Sequence, residues 1–288
     1  MTPSVTIQTH SLATSRFFAR RGDVEFPATC FFLRRGTEYF LVTALHVLTG
    51  RHWQTGSLLS KEGLIPERFT YLFPYYKLVP PTQHQIGWDR IVLEPFGENE
   101  EVAPWLVHPI LRERADVGII PLGNTPQKFL EAALAAGKAT ASEVFAFEWN
   151  DVTHLPSSAG DDVQVIGFPE NIKHGSEFPI WKRGSIASEP DLPVDGLPYT
   201  LVDTGTRSGM SGSPVVRRIP AGIGSHGAPG NFAFFPEPRV ELFGVYSGRF
   251  GVDELTSQLG IVWKRSVISE ILATPTLGKS SLCTRLWL

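Results

Sequence analysis

GMSGSPVV, residues 209–216, sets a serine between two glycines and runs directly into an apolar, β-branched pair. Gly209 and Gly212 free the backbone for a tight turn, so Ser211 is presented with its hydroxyl exposed and with main-chain N–H groups beside it. Pro214, Val215 and Val216 then read as the start of a strand. Hydrolysis of a peptide at neutral pH needs a nucleophile activated at the moment of attack, a base to take its proton and fixed donors for the developing oxyanion. This stretch offers the first in Ser211 and the last in the backbone N–H groups of Gly209 and Ser211.

Working outward, the base and its orienting partner have one candidate each. VTALHVL, residues 42–48, is a hydrophobic strand that delivers His46 at its edge, with the small Ala44 letting the imidazole sit close to a second lobe. RADVGIIPL, residues 114–122, starts an apolar strand with Asp116, whose carboxylate could be drawn under His46 to hold its tautomer and stabilise the imidazolium. Each piece alone has a plain structural reading. A histidine after a strand is commonly a surface residue, an aspartate at a strand start a cap, and Gly-x-Ser-Gly a loop. Their joint occurrence carries the argument.

Strand signals dominate the rest. Residues 28–33 and 39–43 form a hairpin across Gly36, and further runs fall at 90–95, 105–107, 117–121, 163–168, 198–203, 214–217 and 240–246. Only two segments read as helix. NTPQKFLEAALAAG, residues 124–137, has Asn124 or Thr125 to cap it, Pro126 in its first turn and Gly137 to end it. KRSVISEILA, from Lys264, places Val267, Ile268, Ile271 and Leu272 on one face. The expected organisation is a first β unit over 1–123, a connector with helix over 124–145, a second β unit with a closing helix over 146–275, and a tail over 276–288. The Gly/Pro-rich stretch 217–239 reads as a long loop, and Val5 and Ile7 as part of a short strand.

Composition narrows the partners. In 288 residues, 26 Lys and Arg against 29 Asp and Glu give a net charge of -3, so no global basic field argues for nucleic acid or acidic membrane. Two cysteines, Cys30 and Cys283, exclude a disulfide framework and fit a reducing, cytoplasmic setting, with a single bridge left open. No apolar run approaches the roughly 20 residues of a membrane span. The N-terminal residues lack the apolar middle of a secretory signal, although Arg16, Arg20 and Arg21 before the first acid, Asp23, share the composition of an organelle transit peptide. No metal or cofactor is expected, because the eight histidines lack ligand spacing and GIGSHG, residues 222–227, has no βαβ unit around it. The aromatics of TYLFPYYKLVPP, residues 70–81, read as core or as a protein-binding groove.

Taken in the order His, Asp, Ser, the three pieces resemble the trypsin/chymotrypsin superfamily, in particular its disulfide-poor bacterial branch with the HtrA-type and glutamyl endopeptidases. TALH is similar to that family's Thr-Ala-x-His, DVGI to its Asp-[Ile/Val]-[Ala/Gly]-[Leu/Ile], and GMSGSP to its Gly-x-Ser-Gly-[Gly/Ser]-Pro. VIGFP at 165–169, WKRGSIAS at 181–188, LVDTGTRSG at 201–209 and FGVYSG at 243–248 add support, so the resemblance spans about residues 28–272. It implies an all-β fold of two six-stranded antiparallel β-barrels with a connecting helix and a C-terminal helix. It also implies a serine endopeptidase with His46, Asp116 and Ser211 as triad and a polypeptide as substrate. The primary pocket would be walled by Gly205, Tyr246, Ser247, Gly248 and Arg249.

The departures are informative. His46 and Asp116 stand 70 residues apart, so an insertion between 51–63 and 88–101 is expected to decorate the first barrel. Val47 follows the histidine where disulfide-bonded animal enzymes carry a cysteine. Met210 occupies the place of the carboxylate that pairs with a freed N-terminus in trypsin-like zymogens, so that activation switch is not expected. The alternative function is a catalytically silent or latent barrel that binds peptides or proteins, with a regulatory protein partner in the latent case.

Overall fold

The computed structural model describes residues 7–79, 83–93, 102–150, 155–225, 232–251 and 258–279. Strands Val24–Arg35 and Glu38–Thr43 form the expected hairpin, with Phe31 opposite Val42 and Leu33 opposite Phe40. Because side chains alternate across a strand, this hairpin feeds two cores. Phe31, Leu33, Phe40 and Val42 face the second half of the chain, whereas Cys30, Phe32, Tyr39 and Leu41 fill the first.

The second half is a closed barrel of six antiparallel strands: Ile180–Ile186, Tyr199–Asp203, Leu259–Lys264, Arg239–Arg249, Pro214–Ile219 and Asp162–Gly167. The first is larger than the six strands expected. Its order runs Thr276–Lys279, Val102–Val107, Gly118–Gly123, Glu38–Thr43, Val24–Arg35, Thr14–Arg21, Arg68–Val79 and Gln83–Leu93, with Phe147–Glu148 added in parallel beside Val24–Arg35. The architecture is all-β, a closed six-stranded barrel and a nine-stranded sheet, consistent with a chymotrypsin-like double barrel. The tail contributes Thr276–Lys279 to the first sheet.

Much of the presumed insertion is sheet. Arg68–Val79 and Gln83–Leu93 form one long hairpin, and Phe69, Tyr71, Phe73 and Tyr75 point alternately into the first core. Phe32 meets Tyr71 and Phe73 edge-on at 5.5 and 5.7 Å. Burying each such aromatic contributes about 1.5–3 kcal/mol. The run is apolar on nearly every position and contains Pro74, which hides its period of two from a sequence reading.

The two longer helices sit where expected, at Thr125–Ala135 and Arg265–Ala273. The second buries Val267, Ile268, Ile271 and Leu272 against the core shared by the two halves. Two expectations need correction. The 217–239 stretch is not a structureless loop, since Gly222–Ser225 and Phe232–Phe235 pair as a hairpin. Ile7 lies outside any strand, and the first strand begins at Thr14 because a helical turn, Thr9–Leu12, intervenes. Val5, Cys283 and the tip of GIGSHG lie outside the described residues.

Candidate active site

Strand register brings the first two candidate residues together. Thr43 stands opposite Gly118 in the antiparallel pair Glu38–Thr43 and Gly118–Gly123. His46 follows one end of that pair and Asp116 precedes the matching end of the other. The fully buried Ala44 turns the chain into the short helix Leu45–Thr49, which carries the imidazole. The His46 backbone N–H donates to Asp116 Oδ1 at 2.7 Å, and ring Nδ1–H donates to Oδ2 at 2.6 Å. The Ser247 hydroxyl donates to the same Oδ2.

Asp116 is fully buried. Burial by itself would raise its pKa, but the attraction of the His46 ring and the hydrogen bonds from His46 and Ser247 outweigh that cost and hold the carboxyl below its ordinary range. With the ring proton committed to Nδ1, Nε2 is left as an acceptor.

Ser211 sits in a turn that only glycines permit. Gly209 and Gly212 have φ of +89° and +86°, and a Cβ on them would lie 2.5 Å from the Phe168 carbonyl and 2.1 Å from the Thr29 carbonyl. Three carbonyls of this turn are held from outside it. Glu170 N–H donates to Ser208 O at 2.6 Å, Thr29 Oγ1–H to Gly209 O at 2.8 Å, and Thr29 N–H to Ser211 O at 2.9 Å. In a trans peptide the C=O and N–H of one plane point opposite ways. The Gly209 N–H is thus aimed away from Glu170, and neither it nor the Ser211 N–H donates to a group among the described residues. Glu170 and Asn171 adopt φ of +51° and +59°, left-handed values that cost non-glycine residues energy and tie this loop's shape to the turn it supports.

The Ser211 hydroxyl donates to the Ser247 carbonyl at 3.1 Å. No hydrogen bond joins it to the His46 ring among the described residues, although both side chains line the same two cavities. In unliganded sites such contacts commonly close only when substrate binds.

One cavity, of about 450 Å³, runs along Tyr246, Ser247, Gly248 and Arg249, with Arg207 and Ile261 also at its walls. The other, of about 220 Å³, also borders Ser211 and His46 and is lined by Gly209 but by none of Tyr246–Arg249. Of the sequence-read pocket residues, Gly205 does not join them: it is exposed and outside the lining of both. Its neighbour Thr206 is buried and bonds the Tyr246 hydroxyl. Tyr246 is 2% exposed, packs against Gly260 and fills the interior behind the larger cavity. Burial, ahead of the opposing effects of Thr206 and Arg249, pushes its pKa up to about 12.

A further cavity of about 400 Å³ lies away from these residues, bordered by His10, Arg34, Phe147, Arg239 and Arg265. Its cations are committed, Arg34 to Glu148, Arg239 to Glu241 and Arg265 to the Asn150 carbonyl and the Trp149 face. No three His, Cys, Asp or Glu side chains converge on a metal position among the described residues.

Sequence reasoning missed two participants. Thr29 lies in an apolar strand with no local mark, and the sequence places Ser247 in the pocket wall. Their positions in the strand at 28–33 and in FGVYSG at 243–248 are the available signal, but only the contact between the two halves gives them partners.

No family model and no curated protein matches the chain. Among solved structures it is similar to a serine endoprotease from Yersinia pestis, at 12% identity and a TM-score of 0.46 over 94% of this chain and 67% of that one. It is also similar to the protease Anisep from Arthrobacter nicotinovorans, at 13% identity and a TM-score of 0.46 over 92% and 95% of the two chains. A thermostable serine protease from an extremophilic microorganism aligns at 12% identity and a TM-score of 0.47 over 93% of this chain and 100% of that one. At such identities the likeness concerns the fold alone.

Proposed function

We propose that this chain is a serine endopeptidase that hydrolyses polypeptides through an acyl-enzyme, with His46, Asp116 and Ser211 as its triad. The observation that carries the reading is the grip of Asp116 on His46, one carboxylate oxygen on the backbone N–H and the other on ring Nδ1. Only a ring fixed in that tautomer offers Nε2 to a serine.

In the proposed cycle, Ser211 Oγ rotates from the Ser247 carbonyl toward Nε2, loses its proton to the ring and attacks the scissile carbonyl. Asp116 stabilises the resulting imidazolium. The oxyanion is received by the N–H groups of Gly209 and Ser211. His46 then gives the proton to the leaving amine, and water, activated by the same nitrogen, releases the acid.

The acyl side of the substrate lies along Ser247, Gly248 and Arg249, over a floor made by Tyr246. With no carboxylate among the described lining of this cleft, cleavage after Lys or Arg is disfavoured. Medium-sized apolar residues are preferred there, and acidic ones rank second because Arg207 and Arg249 border the cleft.

A fluorophosphonate probe tests the reading: the wild-type protein is labelled and Ser211→Ala is not. An unlabelled wild type would count against it. The Ser211 hydroxyl on the Ser247 carbonyl favours one second reading, a latent enzyme that a protein partner activates. In that case labelling appears only when cell lysate is added.

A further inference from the structure

Arg16 and Thr29 are direct partners in the antiparallel pair Thr14–Arg21 and Val24–Arg35, so their side chains leave the sheet on the same face. Thr29 reaches the Ser211 turn itself, with its hydroxyl on Gly209 O at 2.8 Å. Arg16 reaches the segment beside that turn. Its Nη1 donates to Asn171 Oδ1 at 3.1 Å, and its Nη2 pairs with Glu177. Both side chains of the ion pair are only 15% exposed. The guanidinium also lies over the Phe18 ring, 5.1 Å from its centroid.

Residues 168–178 form a unit bonded to itself. Asn171 N–H donates to Phe168 O at 3.0 Å, Ile172 N–H to Pro169 O at 2.8 Å, and His174 and Phe178 exchange backbone bonds at 2.9 and 3.1 Å. This unit meets the Ser211 turn directly. Glu170 N–H holds Ser208 O at 2.6 Å, and a Cβ on Gly209 would lie 2.5 Å from Phe168 O and 3.3 Å from Asn171 N. Ser208 O and the Gly209 N–H share one peptide plane, so a shift of residues 168–178 re-aims that N–H. Glu170 and Asn171 hold left-handed backbone angles, which persist only where the surroundings over-determine them. Asn171 receives that constraint through its side chain, from Arg16.

We propose that Arg16 is a positioning residue for oxyanion stabilisation: from the first sheet it holds Asn171 and Glu177, and through Glu170 these fix the direction of the Gly209 N–H. The inference rests on the proteolytic reading above, in which that N–H receives the developing charge. A nearly buried ion pair contributes little net stability, because desolvation offsets most of its attraction. What Arg16 supplies is orientation. Its planar fork binds two acceptors at once in fixed directions, which the point charge of a lysine does not.

The test measures kcat, KM and melting temperature for Arg16→Met, Glu177→Gln and the two combined, on one peptide that the wild type cleaves. Arg16→Met keeps an apolar stem over Phe18 and removes the fork. Its kcat falls by about 10-fold, a fraction of the roughly 10²–10³ lost with a whole oxyanion donor, while KM stays within about 2-fold. Glu177→Gln lowers kcat several-fold. Each single change leaves a nearly buried charge short of a partner and lowers the melting temperature. The double variant removes both charges, so it regains most of the melting temperature and none of the kcat. Lowered melting temperatures with an unchanged kcat, or a double variant that recovers both, overturn the inference while leaving the protease reading intact. If Arg16→Met fails to fold, Glu177→Gln and the double variant still decide. A wild-type protein that neither cleaves nor takes the fluorophosphonate overturns the protease reading itself, and the inference with it.

Discussion

Thr29, on the second strand of the first barrel, donates its hydroxyl to the carbonyl of Gly209 at 2.8 Å, 180 residues away in the second. Its own backbone N–H holds Ser211 O, its Oγ1 accepts Phe168 N–H at 3.3 Å, and its carbonyl accepts the Thr43 hydroxyl at 2.8 Å. One fully buried residue thus fixes the peptide planes on either side of the plane that carries the Ser211 N–H.

Thr29→Val should slow fluorophosphonate labelling by about 10-fold or more, equivalent to about 1.4 kcal/mol of transition-state stabilisation. The change keeps the shape and the backbone bond to Ser211 but orphans Gly209 O and Phe168 N–H, at about 1–3 kcal/mol for a buried unpaired group. Thr29→Ser should restore the rate. A lowered melting temperature with an unchanged labelling rate would assign the hydroxyl to stability alone.

Ser211→Ala should abolish hydrolysis and keep the fold. Among the described residues the hydroxyl makes a single hydrogen bond, to Ser247 O, worth about 0.5–1.5 kcal/mol. His46→Ala should be comparably severe. Turnover near the wild-type level in either variant would remove the triad assignment.

Asp116→Asn should lower kcat by a factor on the order of 10⁴, since an amide cannot hold His46 in the same tautomer. Asp116 also predicts a pH dependence of stability. Its folded pKa lies below its unfolded one, so its contribution is fully present above the unfolded pKa of about 3.9. It is lost as pH falls through the folded value beneath that. In urea unfolding, the advantage of the wild type over Asp116→Asn should hold at neutral and mildly acidic pH and shrink only at the acid end. A difference already collapsing near neutrality would contradict the lowered pKa.

Tyr246→Val should open the floor of the larger cleft and shift cleavage toward bulkier side chains on the acyl side. The tyrosine hydroxyl leaves Thr206 unpaired when removed, so Thr206→Val with Tyr246→Val is the fairer comparison. Digests read by mass spectrometry report the change. An unaltered residue preference in both would place the floor elsewhere.

The all-β class and the tight turn at Ser211 could be read from the chain because their causes are local. Gly209 and Gly212 announce a turn that a Cβ would block, the helix at Thr125–Ala135 has its proline and glycine punctuation, and the strand runs alternate over short spans. Even the meeting of His46 and Asp116 follows from two strand ends that need only pair in register. What the tertiary structure alone decided is who faces whom across the barrels. The Ser247 hydroxyl reaches Asp116 over 131 residues, Gly205 is left at the surface while Tyr246 takes the interior, and Thr29 reaches the Ser211 turn. The tail returns as Thr276–Lys279 to extend the first sheet, and Gly50–Pro66 folds over the cleft. Such pairings depend on closure, register and burial summed over the whole chain, and no periodicity or turn residue in the sequence encodes them singly.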